Sequence, residues 1–160
     1  MLDSLGFVIF LVVIALIFDF LNGFHDSANS IATVVSTKVL STRRAVAFAA
    51  FFNFIAAFGF GVAVASTISK IIQLDLVQTA VIPFIVLGAL IGAISWNLIT
   101  WYFGLPTSSS HALIGGLSGA GISAAGLAAI KWSTVELVVT FMIISPLIGL
   151  TCGFLFMAAV

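Results

Sequence analysis

The chain has 160 residues, 62% of them apolar and 6% charged, and its five basic and five acidic side chains balance to a formal charge of zero. A soluble domain of this length has too much surface for its volume to hide so large an apolar fraction, so the composition excludes a water-soluble globule and requires an integral membrane protein. Zero net charge offers nucleic acid no basic face, and the lone Cys152 excludes an intrachain disulfide and fits no metal-ligand spacing, so neither cofactor nor resident metal is expected.

Residues 5–18 have the apolar core of a secretory leader. However, Asp3 stands where a basic segment belongs, and no small-x-small cleavage site follows. They are read instead as the start of a membrane segment that runs to residue 37, longer than the ~20 residues needed to cross the hydrocarbon core. Gly23, beside Asn22, predicts a break into two helical pieces, tolerated only where the freed backbone lines a protein-enclosed cavity. The second piece, 22–37, reads NGFHDSANSIATVVST and puts Asp26 inside the apolar run. Asp19, Asn22, Asn29, Thr33 and Ser36 recur around it at intervals of three or four, which makes one polar stripe on a helix. Ionisable groups in a span are costly and mark a pathway or a site.

Lys38, Arg43 and Arg44 form the densest basic cluster, which assigns that loop to the cytoplasm. Residues 45–65 carry no charge and are expected to form a span containing Asn53, and 67–78 a short external connection. Residues 79–103 form the next span, with Gly88 and Gly92 spaced for close helix contact and Trp96, Trp101 and Tyr102 near its end. Residues 105–126 hold too many small and polar side chains for a lipid-facing span. They suit two short helices packed inside protein as a re-entrant hairpin. Residues 137–160 form the last span. With the hairpin re-entrant, Lys38, Arg43, Arg44 and Lys131 are cytoplasmic and only Lys70 is external; with a full crossing Lys131 moves outside, so the charge bias favours the hairpin. The expectation is an all-α, polytopic helical bundle, one transmembrane domain over 1–160, with a broken first helix.

Two stretches carry chemistry. Pro106–Thr107–Ser108–Ser109–Ser110–His111 reads as a helix start, since proline suits the first helical position and Ser or Thr the cap. Backbone N–H groups and four hydroxyls at the positive end of a helix make an oxyanion site. The plainer alternative, four hydroxyls that merely cap a helix, requires only one of them. A bare Asp26 carboxylate beside a bound anion would repel it, so a cation or a proton must sit between them. Oxygens of Asp26, Asn22, Asn29 and Thr33 suit a hard cation, and protonation of Asp26 removes the clash. The plainer alternative for Asp26 is packing, satisfied by Asn22 and Asn29. His25 and His111 either relay protons or sit neutral and hydrogen-bonded. Asn53, Asn97 and Thr100 read as interhelical hydrogen-bonding groups.

Gly-Phe-His-Asp-Ser-Ala-Asn at 23–29 resembles the signature of the PiT family of inorganic phosphate transporters, written G-[AF]-[NH]-D-x-A-N. Leu-Pro-Thr-Ser-Ser-Ser-His at 105–111, followed by Ala-Leu-Ile-Gly-Gly, resembles its second segment, and SWNLITWYFG at 95–104 what precedes that segment in bacterial low-affinity members. The resemblance implies a multi-pass symporter for orthophosphate in the plasma (inner) membrane, built from inverted repeats around a midplane site. By position, Asp26 and Asn29 would belong to the coupling-ion and phosphate site, and Thr107, Ser108, Ser109 and Ser110 would bind phosphate. Asn53 stands where sodium-coupled animal members carry glutamate. With His25, that favours the bacterial proton-coupled type over sodium coupling, and a metal–phosphate complex as substrate. The family signature occurs twice in its members and once here. The chain is therefore expected to be the N-terminal repeat only, whose partner is the missing C-terminal repeat or a second copy; the end at Val160, within a span, favours a fragment.

Two other classes use the same residues. A passive anion or proton channel would line its pore with Asp26 and the histidines. An intramembrane serine protease would use Ser118 in Gly-Leu-Ser-Gly, but His111 lies seven residues away, ~10 Å along the same predicted helix, too far to act as its base.

Overall fold

A computed structural model describes residues 5–59 and 63–159. Among the described residues six helices carry the fold: α1 Leu5–Ser36, α2 Thr42–Gly59, α3 Ala63–Ser69, α4 Ile82–Tyr102, α5 Ser109–Ala125 and α6 Trp132–Ala159. Short 3-10 turns at Leu74–Leu76, Thr79–Val81 and Leu127–Ala129 lie in the connections. Three helical segments, Leu5–Ser36, Thr79–Tyr102 and Trp132–Ala159, are long and apolar enough to cross a membrane. This is a helical membrane architecture. Helix α2 covers most of the expected 45–65 span, of which 60–62 lie outside the described residues.

The first helix is continuous, which corrects the expected break at Gly23. The hydroxyls that follow it turn back onto their own helix. Ser27 Oγ donates to the Phe24 carbonyl (2.9 Å), Ser30 Oγ to that of Ser27 (2.9 Å), and Thr37 Oγ1 to that of Thr33 (2.7 Å). Satisfied in this way, the polar side chains need no cavity, and one helical glycine disfavours the helix by only about 1 kcal/mol. The helix stops beyond Ser36 with Lys38 in the left-handed region (φ 60°). There Val39 N–H reaches back to the Val34 carbonyl and Lys38 N–H to that of Val35, the paired bonds of a Schellman cap.

Helices α1 and α4 run parallel. Phe7 packs near Phe84 and, one end later, Phe24 near Trp101, both at ring-centroid distances of 5.8 Å. Between them lie Phe18, Leu90 and Ala93, with Ala112 and Leu113 of α5 against that cluster. Helix α5 returns antiparallel along α4 in the tightest packing of the fold. A Cβ built on Gly116 would stand 2.5 Å from the Ala89 carbonyl oxygen, and one on Gly88 3.3 Å from Ala120 Cβ. The small residues noted in the sequence are what allows this approach.

Residues 105–126 were expected to form two short helices; they form an extended entry and one helix, α5, closed by Gly126 at φ 77°. Glycines along that helix serve close packing rather than a break: Gly116 meets the Ala89 backbone of α4, and Gly121 the side chains of Ile72 and Ile130 in the connections. At the far end the connection 70–78 is no bare external loop. Ile72 bridges antiparallel to Ile130, Gln73 N–H donates to the Ala129 carbonyl (2.8 Å) and Lys131 N–H to that of Ile71 (2.8 Å). Ile71, Ile72, Val77, Ile85, Ala129 and Ile130 form a buried cluster there. This clasp fixes the ends of α3, α4, α5 and α6 together, and so sets where the opposite end of α5 falls.

Candidate functional site

That opposite end meets α1. Ser109, the first residue of α5, is fully buried, and its Oγ is hydrogen-bonded to Asn22 Oδ1 and, at 2.9 Å, to Asp26 Oδ2. Asn22 and Asp26 are one turn apart on α1 and so present both oxygens to one hydroxyl. A hydroxyl has a single proton, so it donates to one of the two at a time. This contact joins the two sequence stretches across more than eighty residues of chain. The level matters too. Ser36 stands ten residues beyond Asp26 on α1, so the α4–α5 turn sits about 15 Å short of the end of α1.

The other hydroxyls of the second stretch do different things. Thr107 Oγ1 donates to Thr100 Oγ1 (3.0 Å), which itself bonds the carbonyls of Trp96 (2.9 Å) and Asn97 (3.1 Å). Ser108 is the N-cap of α5 in extended conformation and its side chain makes no capping bond, so the first N–H groups of the helix are not occupied by that hydroxyl. Pro106 lies in the extended entry rather than at the first helical position, three residues ahead of where the helix starts. Pro106, Thr107, Ser108 and His111 line one wall of a groove of ≈ 550 Å³, with Gly92 and Trp96 of α4 on the other. Ser110 and His111 border a second, more apolar cavity of ≈ 500 Å³ that includes Ser145 and Pro146 of α6. His111 is exposed and stands between the two.

Asp26 is half-exposed (47%), and its nearest imidazole, His25 Nδ1, lies 3.8 Å from Oδ1 with a side chain only 7% exposed. The stripe then divides. Asn22 and Asp26 reach α5, whereas Asn29, Thr33 and Ser36 are exposed on the remainder of α1 beyond the turn, and Asp19, one turn before Asn22, is exposed as well. Asn53 belongs elsewhere, in a cavity between α1 and α2 that Ser30 also lines.

The residue that sequence reasoning undervalued is Asn97. Its spacing suggests an interhelical hydrogen-bonding group, yet it is 1% exposed and neither Oδ1 nor Nδ2 has a partner among the described residues. A lone asparagine in an apolar span three residues before a threonine was the available signal. Thr100, its neighbour, does serve as expected, by holding Thr107.

A neutral, hydroxyl-lined groove at a helix N-terminus, tied through Ser109 to a carboxylate on another helix, suits an oxyanion whose charge is compensated in part by a cation or proton on the carboxylate. Comparison with known proteins points the same way. Residues 22–160 match the Phosphate transporter family. Proteins named "Probable low-affinity inorganic phosphate transporter" from Rhizobium meliloti (strain 1021) and Bacillus subtilis (strain 168) are 51% and 48% identical over 91% and 92% of this chain. The chain spans 42% and 44% of their lengths. A protein of the same name from Streptomyces halstedii is 48% identical over 98% of this chain and 72% of its own. No solved structure matches the chain. Between the two segments that meet at Ser109 and a match that runs on to residue 160, the chain belongs to the phosphate transporter family, a family of transporters rather than enzymes.

Proposed function

We propose that the chain is one repeat of an inverted-repeat symporter that carries inorganic phosphate across the plasma (inner) membrane, coupled to protons. The observation that carries this reading is the Ser109–Asp26 hydrogen bond, because it ties the anion-binding helix end to a carboxylate on another helix. Phosphate docks in the groove on Thr107, Ser108 and the N–H groups that open α5, with Ser110 and His111 at its rim. Ser109 reports the charge state of Asp26 to that site: a protonated Asp26 no longer competes with phosphate for positive potential. Asn22 orients Asp26, and Asn29 and Thr33 lie next along the same face of α1, where an entering cation would travel.

Proton coupling is favoured over sodium because His25 stands 3.8 Å from Asp26, whereas Asn29 and Thr33 are exposed. The residues lining the groove include no lysine or arginine, which suits a neutral metal–phosphate complex better than a bare dianion. The α4–α5 turn stops about 15 Å below the end of α1, the depth expected of a re-entrant hairpin. Residues 1–160 then form a single transmembrane domain, and the other half of the site comes from a second repeat or a second copy. Relative motion of the two halves exchanges access between the membrane faces.

Ser108→Ala tests the docking site without touching the fold. A hydrogen bond to a charged group is worth roughly 1.5–3 kcal/mol, so phosphate affinity measured by isothermal titration is expected to fall about 10–100-fold with the thermal midpoint unchanged. An unchanged affinity places phosphate elsewhere.

A further inference from the structure

The connection from α1 to α2 carries Lys38, and the first turn of α2 carries Arg43 and Arg44. All three are exposed, and none has an ion-pair partner among the described residues. No acidic residue occurs between Asp26 and Asp75, so the chain supplies no counter-charge nearby in sequence. The placement is electrostatically unfavourable. The first turn of a helix is its positive end, where two guanidinium groups oppose the dipole and no carboxylate offsets them. A bound anion would relieve both repulsions.

A crevice between α1 and α2 starts at the same place. It holds ≈ 320 Å³ and runs from Leu40 and Ala45, which bracket residues 41–44, to Ser30 and Asn53, with Val34 and Ala49 along its walls. Apart from Ser30 and Asn53 the lining is apolar, and Ser30 Oγ already donates to the Ser27 carbonyl. Water in such a space finds few partners, whereas hydrocarbon needs none. Helix α1 is long and apolar enough to cross a membrane, so the connection at its end lies at a membrane face. Three cations at the surface above an apolar crevice match an amphiphile with an anionic head.

We propose that the α1–α2 hairpin binds one anionic glycerophospholipid, its phosphate against Lys38, Arg43 and Arg44 and one acyl chain in the crevice. Guanidinium groups hold phosphate oxygens in pairs, and the lysine adds a point charge. Free phosphate would satisfy the cations and leave the crevice unfilled. A protein partner would have to bring acidic groups and an apolar wedge together, a combination that anionic lipids of the surrounding bilayer already present. The site stands beyond the end of α1, at least about 15 Å from Asp26, and the inference does not depend on the transport reading.

The test is lipid binding to the purified chain in detergent, read by native mass spectrometry with phosphatidylglycerol and phosphatidylcholine of equal chain length. Phosphatidylglycerol is expected to bind at least about tenfold more tightly. Each cation near the surface contributes about fivefold, so Arg43→Gln with Arg44→Gln is expected to weaken phosphatidylglycerol about 25-fold and to leave phosphatidylcholine unchanged. Ala49→Phe fills the crevice without altering charge and is expected to weaken both lipids. The two arginines are exposed, so their result stands even where Ala49→Phe does not fold. Equal affinity for the two lipids, or phosphatidylglycerol binding unaltered in the double variant or in a folded Ala49→Phe, overturns the proposal. So does displacement of phosphatidylglycerol by inorganic phosphate but not by chloride at matched ionic strength, which would assign the cations to free phosphate. A dimer that is lost in the double variant would assign the face to a second copy and overturns it as well.

Discussion

Asp26→Asn is expected to abolish the proton dependence of phosphate accumulation and to lower its extent about 10–100-fold, in proteoliposomes where the wild-type chain accumulates phosphate. Asparagine keeps an Oδ1 to accept from Ser109 Oγ, so the α1–α5 contact survives and the fold should be unaffected. What disappears is a group that can alternate between charged and neutral. Without that alternation the site is fixed in one electrostatic state, and phosphate binding no longer changes with proton binding. Ser109→Ala gives the complementary result. It leaves the Asp26 carboxylate and the Asn22 amide without their shared hydroxyl, and because Asp26 is about half-exposed the stability loss should be only about 1 kcal/mol. Its effect belongs in coupling, read as fewer protons moved per phosphate. Retained accumulation with unchanged pH dependence in Asp26→Asn removes Asp26 from the mechanism.

Gly116→Leu is expected to prevent folding. The Cβ alone would stand 2.5 Å from the Ala89 carbonyl oxygen and 3.3 Å from two further backbone atoms, and backbone cannot rotate away as a side-chain tip can. Overpacking in a core typically costs 1–3 kcal/mol where side chains can give; here two helices must separate, and about 3 kcal/mol or more is the reasonable scale. Separation of α4 and α5 would also pull Ser109 from α1 and open the groove. Gly119→Leu is the control, since a Cβ there meets nothing within 4 Å. Size-exclusion profiles and thermal midpoints in detergent should collapse for the first and hold for the second. Equal behaviour of the two variants would mean that the α4–α5 contact does not organise the fold.

The membrane class and the long spans were legible in the chain, because composition and hydropathy act locally; that the 22–37 and 105–111 stretches serve one site was implied only by the family resemblance. The continuity of α1 was not. Glycine beside asparagine resembles a breaking point, and only the side-chain hydroxyls bonded back to their own helix show why it holds. The single helix in 105–126 was hidden for a related reason. Its small and polar residues suggested two short packed helices, whereas Gly116 serves close approach to α4 within one helix, a distinction that depends on what lies opposite. The Ile72–Ile130 clasp joins residues almost sixty apart, and no local pattern encodes such a pairing. Helical spacing puts Asn29 and Thr33 in line with Asp26, and the start of α5 touches the Asn22 and Asp26 portion of that stripe.

The most direct measurement of coupled transport is accumulation of labelled phosphate by proteoliposomes carrying the chain, with an inward proton gradient imposed at zero sodium. The account predicts accumulation above the equilibrium level that collapses when a protonophore is added and does not respond to sodium. Phosphate that merely equilibrates whatever the gradient would indicate a passive pore, and accumulation driven by sodium alone would contradict the role given to His25 and Asp26.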